Sequence, residues 1–376
     1  MKKKEDHKED ARGKTTASKI GRGIQDAAGL ALFTGACVGA GALAGAAGHF
    51  YKKALVPQKQ DPSYDPDPAL KDYEEGRRWA ETHPLREEVY LRADDGLQLH
   101  AAFIPAIRFS AGAAEKRPAG DAAQTAAENK SGSSGDHEES TQAGTEQEEH
   151  RYAVCVHGWG GISDGMGLYA RVYRDRLGMH VLLPDLRGFG RSDGDYVGMG
   201  YDDSRDLLRW IDWIIERDPA AQIVLHGISM GAAAVLMTTG YTLPAQVAAA
   251  VSDSSYTSAE AVLKAVYRSS GGAVFPAPVM YEAVRGIALL RAGYDLAKAS
   301  PVRAVSRSRT PTLFIHGQAD TLVSPGMMPA LYKAAACRKA FLWIPEAFHA
   351  QAVVVDPETY WGRVEKFLHA QGISIE

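Results

Sequence analysis

Cysteine is scarce in this chain of 376 residues, which contains only Cys37, Cys155 and Cys337. Three scattered cysteines cannot form a disulfide framework, and none lies in a CxxC pair or near a cluster of histidines. We therefore expect no structural zinc site, and the sequence predicts no other metal ion and no cofactor. Because Cys155 lies in the apolar run Tyr152–Val156, we expect its side chain to be buried in a strand.

A surplus of positive charge is missing as well. The chain has 42 Lys and Arg residues against 46 Asp and Glu residues, with a net charge of −4 at pH 7. This balance gives no general attraction to nucleic acid, and we predict no nucleic-acid partner. The proportions of 45% hydrophobic and 23% charged residues are typical of a globular protein and exclude a wholly disordered or collagen-like chain.

Charged side chains are absent between Asp26 and Lys52. The uncharged run Ala27–Gly48, rich in Gly and Ala, is long enough to cross a hydrocarbon core of about 30 Å as a helix. Eight Lys and Arg residues precede this run, whereas only three follow it closely. The positive-inside rule then predicts a charged cytoplasmic head over 1–26, a single-pass transmembrane anchor over 27–51, and the rest of the chain outside the cytoplasm.

Small residues spaced four apart in this run would let a second helix approach closely, which predicts self-association through Gly35, Gly39, Gly41 and Gly45. Phe50 and Tyr51 would lie at the far membrane interface. Two other interpretations remain open. In the first, the segment is a signal peptide that is removed after Ala42-Leu43-Ala44; in the second, it is a disordered leader rich in Gly and Ala.

Four prolines between Pro57 and Pro68 predict a linker, placed at 52–84, ahead of one folded domain over 85–376. Near the start of this domain, Asp94-Asp95-Gly96 separates two alternating segments and predicts a hairpin. The stretch 106–150 is different, because its second half holds seven acidic residues, one Lys and no large apolar side chain. Such a composition cannot bury itself and predicts a disordered insertion between two strands.

From Arg151 onward, short uninterrupted apolar runs alternate with helical patterns. Runs of this length are typical of strands buried on both faces, and they are Tyr152–Val156, His180–Leu183, Ile223–Leu225, Val247–Val251, Thr312–Ile315 and Ala340–Ile344. The clearest helix is Asp203–Glu216, with its apolar residues on one stripe. The alternation predicts an α/β fold with a mostly parallel sheet flanked by helices, and chemistry at the carboxyl ends of the strands.

One of these strand ends carries the pattern Gly227-Ile228-Ser229-Met230-Gly231. It follows the strand Ile223–His226 and opens the helical stretch Ala232–Thr239. A nucleophile on a sharp turn from strand to helix needs small neighbours, because the backbone there is strained and tightly packed. The helix N-terminus behind it favours developing negative charge. We interpret Ser229 as a nucleophile.

Serine is a poor nucleophile unless a base, held by an acid, removes its proton. His349 follows the strand Ala340–Ile344 and Asp320 follows Thr312–His316, so the chain order is Ser229, Asp320, His349. Asp253, which follows Val247–Val251, is the rival for the acid. The other strand-end histidines precede glycines and are interpreted as structural hydrogen-bonding groups; they are His157, His226 and His316.

An oxyanion hole needs two backbone donors. The N–H of Met230, next after the serine, is one candidate. The loop His157-Gly158-Trp159-Gly160-Gly161 follows the strand Tyr152–Val156, and its glycines allow a close approach to a substrate. We expect the second donor to be the N–H of Trp159.

Taken together, the motifs HGWGG, DLRGFGRSDG (Asp185–Gly194), HGISMGA, FIHGQAD and His349 resemble the α/β-hydrolase superfamily. The stretch Ala299–Asp320 is similar to that of bacterial membrane-anchored serine hydrolases of the Bem46-like or serine-aminopeptidase-like type. The resemblance covers about residues 85–372 apart from the insertion. It implies Ser229 as nucleophile, Asp320 as acid and His349 as base, with a helical cap placed at 254–300. One departure is the loop Pro345–His349, which lacks the usual glycines.

The preferred interpretation is a membrane-bound serine hydrolase, with an extracytoplasmic catalytic domain, that cleaves ester, thioester or amide bonds through an acyl-enzyme. Its substrate would be a small acyl or peptidyl compound. One alternative is an aminopeptidase-like peptidase, in which Asp253 or Glu282 would hold the substrate ammonium. Another is a catalytically silent, membrane-tethered binding module of the same fold, which would not need an intact set of Ser, Asp and His. Fold alone names no substrate.

Overall fold

A computed structural model describes residues 39–57, 71–106, 150–271 and 274–373. Within these residues one eight-stranded sheet has the order β1-β2-β4-β3-β5-β6-β7-β8. Its strands are β1 Glu87–Arg92, β2 Gln98–Ile104, β3 Arg151–Val156, β4 His180–Pro184, β5 Gln222–Ile228, β6 Val247–Asp253, β7 Thr312–Gly317 and β8 Lys339–Ile344. Only β2 runs antiparallel to its neighbours, so the prediction of a mostly parallel sheet is confirmed.

The described helices are α1 (residues 39–55), α2 Lys71–Thr82, α3 Gly167–Asp175, α4 Asp203–Arg217, α5 Met230–Thr238, α6 Ala259–Ser269, α7 Ala277–Arg291, α8 Pro301–Val305, α9 Met327–Ala334, α10 Ala352–Val355 and α11 Pro357–His369. Successive residues of β3 enter different apolar clusters, Val154 on one face of the sheet and Cys155 on the other. Both faces are therefore covered, and the predicted burial of Cys155 is confirmed.

Helix α4 buries the apolar stripe that its sequence pattern predicts. Its predicted stripe is buried at Leu207, Ile211 and Ile214, whereas Arg205 and Arg209 on the other side are exposed. An amphipathic helix buries such a stripe against a sheet, because this removes apolar surface from water. The predicted range Asp203–Glu216 is one residue short of the observed helix.

The described residues do not support the predicted transmembrane anchor over 27–51. Its described part, residues 39–51, belongs to α1, where Ala47, Phe50 and Tyr51 are buried in the main apolar cluster of the domain. Phe50 and Tyr51 thus contact protein, not a membrane interface. Across the described ranges, no helix is both long enough and apolar enough to span a bilayer. Residues 1–38 lie outside the described residues.

Three of the four glycines predicted to mediate self-association lie within the described residues. Gly35 lies outside the described residues, and a Cβ placed on Gly39, Gly41 or Gly45 would meet no other atom within 4 Å. Among the described residues, none contacts α1 at these three glycines, and association through them stays a prediction.

Part of the predicted linker over 52–84 is instead helix α2. The helix packs closely on α3, since a Cβ on Gly76 would overlap the backbone of Leu168 and one on Gly167 would overlap the backbone of Gly76. The last of the four prolines is Pro68, and this amphipathic helix begins at Lys71. The predicted linker thus includes α2 near its C-terminal end and residues 52–55 of α1 at its N-terminal end.

Helices α6 and α7 lie in the interval predicted for the cap, 254–300, between β6 and β7. Their facing sides bury Leu263, Tyr267, Met280 and Val284, and Phe50 of α1 packs into the same cluster. Residues 272–273 lie outside the described residues. The predicted insertion is described only at its ends, Ala106 and His150.

Candidate active site

Ser229 occupies the turn between β5, which ends at Ile228, and α5, which begins at Met230. Its φ of 53° lies in the left-handed region, which is costly for a residue with a side chain. The turn is held by the Ser229 N–H, which donates to the Asp253 carbonyl at 2.8 Å. A Cβ on Gly231 would overlap the carbonyl oxygens of Val156 and His157, so the close packing requires glycine there.

The structure brings Ser229, His349 and Asp320 into one hydrogen-bonded chain. His349 Nε2 lies 2.8 Å from Ser229 Oγ, and His349 Nδ1 lies 2.7 Å from Asp320 Oδ2. The three residues come from the carboxyl ends of β5, β7 and β8. Ser229 and His349 are half-buried, so a substrate can reach the pair.

Asp320 is held as an ionised carboxylate. Its Oδ1 accepts hydrogen bonds from the N–H groups of Leu322 and Val323, at 2.9 and 2.8 Å. Its Oδ2 also lies 3.2 Å from His316 Nε2. Burial alone would raise the pKa of Asp320, but the hydrogen bonds of His316 and His349 outweigh it and hold that pKa well below its usual value.

The rival carboxylate, Asp253, is occupied elsewhere. Its side chain is fully buried and accepts hydrogen bonds from Ser254 Oγ at 2.9 Å and from Tyr360 OH at 3.0 Å. Burial raises the pKa of Asp253, although both hydrogen bonds act in the opposite direction. Asp253 supports the Ser229 turn through its backbone carbonyl, whereas its carboxyl group faces Tyr360.

The other strand-end histidines make structural hydrogen bonds. His157 Nε2 accepts from the Leu186 N–H at 3.0 Å, and His226 lies between the hydroxyl groups of Tyr173 and Tyr360. Burial lowers the pKa of His226 to about 3, so this imidazole is neutral. His316 was likewise interpreted as structural, but sequence reasoning missed that its partner is Asp320. The spacing of four residues between them was the available signal.

The loop that carries one of the two predicted oxyanion donors lies close to Ser229, and the other predicted donor, Met230, follows the serine directly. A Cβ on Gly158 would be 3.2 Å from Ser229 Cβ, so the loop that carries Trp159 passes directly over the serine. Met230 is the first residue of α5, and its N–H therefore has no acceptor one turn earlier in the helix. The Trp159 side chain is 46% exposed, and its Nε1–H donates to the carbonyl of Ala54 at 3.0 Å.

The loop around His349 has strained residues on both sides of the histidine and lacks the usual glycines. Glu346 and Ala350 have φ values of 59° and 57°, in the left-handed region. The Ala347 carbonyl accepts from the Ala319 N–H at 3.1 Å, and the hydroxyl of Tyr73 in α2 donates to the Ala350 carbonyl. These contacts compensate for the missing glycines and fix the histidine loop.

In the part of the chain that the structure describes, no three His, Cys, Asp or Glu side chains lie close enough together to hold a metal ion. The chemistry available at this site is that of a hydroxyl group, an imidazole and a carboxylate.

Comparisons with known proteins agree with this architecture. A family model described as the alpha/beta hydrolase fold matches residues 154–273, about a third of the chain. A relative is the uncharacterized protein YqkD of Bacillus subtilis, which is 25% identical over 213 residues, covering 55% of this chain and 68% of that protein.

Solved structures with the same fold include the esterase Pf2001 of Pyrococcus furiosus, with a TM-score of 0.55 at 18% identity over 85% of this chain and 98% of that chain. A puromycin-hydrolyzing peptidase of Mycobacterium tuberculosis has a TM-score of 0.52 at 19% identity, covering 77% of this chain and 40% of that chain. At such identities the likeness concerns the fold. The sheet order, the Ser229 turn and the family match together show that the chain has the fold of the α/β-hydrolase superfamily.

Proposed function

We propose that this protein is a serine hydrolase that cleaves carboxylic ester, thioester or amide bonds through an acyl-enzyme. Ser229 is the nucleophile, His349 the general base and Asp320 the acid that orients it. The observation that carries the proposal is the continuous hydrogen-bonded chain from Ser229 Oγ through His349 to Asp320, with distances of 2.8 and 2.7 Å.

In the first half-reaction, Ser229 Oγ attacks the substrate carbonyl while His349 Nε2 takes the hydroxyl proton. Ionised Asp320 accepts the Nδ1–H of His349 and stabilises the imidazolium that forms. His349 then protonates the leaving alcohol, thiol or amine. In the second half-reaction, a water molecule gives a proton to His349 and attacks the acyl-enzyme; His349 then returns this proton to Ser229 Oγ as the bond to the acyl group breaks, which releases the acid.

The negative charge that develops on the carbonyl oxygen needs backbone donors, and the N–H groups of Met230 and Trp159 fill this role. Met230 adds the positive end of the α5 dipole. Removing one such donor typically costs about 10²- to 10³-fold in kcat.

An ester substrate is favoured over a peptide with a free amino group. The ammonium of such a peptide would need an unpaired acidic group, but Glu282 Oε2 already pairs with Arg285 at 3.1 Å and Asp253 is fully buried. The proteins of similar structure include an esterase and a peptidase, so they do not decide between the two substrate classes. We also propose a closer relationship to Bem46-like, membrane-anchored hydrolases, and attachment to a membrane. Both parts of this proposal rest on the sequence.

The test is the substitution Ser229→Ala in the full chain, compared with Ser306→Ala, which alters an exposed serine after α8. Labelling with a fluorophosphonate should occur in the wild type and the control and vanish in Ser229→Ala, with kcat lower by roughly 10⁴- to 10⁶-fold. Hydrolysis near the wild-type rate by purified Ser229→Ala would overturn the proposal. A wild type that is neither labelled nor active on acyl esters or aminoacyl amides would indicate the silent binding module.

A further inference from the structure

The hydrolase domain caps the C-terminal end of α1. The last carbonyl groups of a helix have no N–H partner within the helix and need donors from elsewhere. Here the indole Nε1–H of Trp159 donates to the Ala54 carbonyl at 3.0 Å, and the N–H of Val197 donates to the Leu55 carbonyl at 2.9 Å. One of these two donors belongs to the loop that passes over Ser229.

Helix α1 is a fixed support for that contact. Phe50 packs edge-on against Tyr267 of α6, with 5.4 Å between ring centroids, and the guanidinium of Arg291 lies over the Tyr51 ring at 5.9 Å. Leu55 is 1% exposed. Burial of these side chains gives α1 several kinds of contact with the cap and the core. The Ala54 carbonyl therefore has a defined position relative to the site.

The loop is a glycine-rich turn, closed by the Gly161 N–H, which donates to the Gly158 carbonyl at 3.1 Å. Trp159 lies between Gly158 and Gly160, and Gly160 has a φ of 74°. Glycines leave the backbone many accessible conformations, and the Trp159 ring, being 46% exposed, is only partly held by packing. The indole hydrogen bond to α1 adds a restraint on this turn from an element outside the loop.

We propose that α1 is a positioning element for the oxyanion hole: the Ala54 carbonyl holds the Trp159 indole, and thereby directs the Trp159 N–H at the developing oxyanion. This inference rests on the proposed serine hydrolase function. Neither α1 nor Ala54 touches the reacting atoms. The segment that the sequence suggested as a membrane tether therefore takes part in setting the catalytic rate.

The test uses the full chain and two substitutions. Trp159→Phe removes the indole N–H and keeps an aromatic ring, whereas Phe50→Ala loosens α1 from the cap. Small misplacements of catalytic groups cost up to about 10²-fold, so each variant should lower kcat by about 10- to 100-fold, with KM changed less than about threefold. The matched control is Trp213→Phe, an indole on α4 that packs against Phe103, which should keep the wild-type kcat.

A double-mutant cycle separates positioning from general damage. If the indole acts through α1, the double variant should be no slower than the slower single variant, because Phe50→Ala has already removed what Trp159→Phe removes. Independent, multiplying effects would overturn the proposal, and so would a wild-type kcat in either single variant. Fluorophosphonate labelling of Ser229 to completion would show that the nucleophile remains competent.

Amide hydrogen exchange gives a readout that does not depend on the reaction. The amides of residues 158–161 should exchange faster in Trp159→Phe and in Phe50→Ala than in Trp213→Phe. Unchanged exchange would overturn the positioning role even if the protein hydrolysed no substrate. If the wild type is neither labelled nor active but both variants exchange faster, α1 still supports the loop. That result would reject only the proposed hydrolase function.

Discussion

Two buried carboxylates near the same catalytic edge are distinguished by their hydrogen-bond partners. Asp320 bonds two histidines and two backbone N–H groups, and its pKa is held low. Asp253 bonds two hydroxyl groups, and burial raises its pKa. A carboxylate that must stabilise an imidazolium has to be ionised, so environment as well as position favours Asp320.

This difference predicts unequal effects of the two Asp-to-Asn substitutions. Asp320→Asn should disturb the tautomer and orientation of His349 and lower kcat by roughly 10³- to 10⁴-fold. Asp253→Asn should cost far less, because its partners Ser254 and Tyr360 lie outside the proton relay. Both variants should be compared by steady-state kinetics at a pH where histidine is largely neutral. The opposite ranking would transfer the acid role to Asp253.

Asp203 makes stability depend on pH. Its side chain is fully buried; Oδ2 accepts from the Gly200 N–H at 2.8 Å, while Oδ1 has no partner among the described residues. Burial, with neighbouring Asp206, raises the pKa of Asp203 to about 7. The folded state therefore binds this proton more tightly than the unfolded state does. The resulting stability is fully present below about pH 4 and is lost as the pH rises through 7.

Asp203→Asn, which stays neutral, should therefore gain stability relative to the wild type on going from pH 5 to pH 8, by on the order of 2–4 kcal/mol. Urea unfolding at the two pH values measures this difference. Asp212→Asn, a substitution at a half-exposed position on the same helix, is the control and should show no such gain. A difference that does not vary with pH would contradict the assignment.

At the residue scale, the sequence predicted the candidate residues that directly follow a strand. Ser229, Asp320 and His349 each follow a strand that was recognised, and parallel strands bring their carboxyl ends to one edge. The contacts of His316 with Asp320 and of Tyr360 with Asp253 were not predicted. The second contact depends on which side chains meet across the core, and no local pattern encodes that, whereas the spacing of four residues was a local signal for the first.

At the element scale, α1 shows where hydropathy is ambiguous. A helix rich in Ala and Gly is accepted both by a bilayer and by the interior of a protein, because both environments exclude water from apolar side chains. Only the contacts of Phe50, Tyr51 and Leu55 with the domain distinguish the two. The central strands had no such ambiguity, and their predicted bounds differ from the observed ones by only a few residues.

The close packing of the turn from β5 to α5 makes the stability of the protein depend on glycine at position 231. Gly231→Ala would place a methyl group on the carbonyl oxygens of Val156 and His157, and overpacking of this kind costs about 1–3 kcal/mol or more. Gly362→Ala is the matched control within α11, where a Cβ meets nothing within 4 Å. This control should be stabilising by roughly 0.5–1 kcal/mol, because glycine is a weak helix former. Equal midpoints of urea unfolding would contradict the packing described for the turn.

At the scale of the whole molecule, the insertion leaves the sheet far from the catalytic edge. Ile104 at the end of β2 pairs with Val181, and Tyr152 near the start of β3 pairs with His180. Both positions lie at the amino end of β4, on opposite sides of it. The two ends of the insertion are therefore about 10 Å apart, at the edge opposite to that of Ser229.

Replacing residues 108–148 with Gly-Ser-Gly-Ser should leave thermal stability and hydrolysis nearly unchanged. A short linker spans the gap, and shortening a long surface loop changes its closure entropy only slightly. Differential scanning calorimetry and kcat/KM measure the two effects. A fall of the melting temperature by more than a few degrees would show that the insertion packs on the domain.

The antiparallel position of β2 between β1 and β4 has a consequence for how the chain can be divided. Residues 1–106 contribute two strands and the Ala54 carbonyl but no side chain of the proposed relay, whereas residues 150–376 carry Ser229, Asp320 and His349. Because β2 joins β4 through backbone hydrogen bonds along the sheet, a break in the covalent chain between the two pieces leaves that pairing intact. Two separately produced polypeptides should thus be inactive alone and recover the proposed hydrolysis when mixed, which would make this chain a fragment-complementation system.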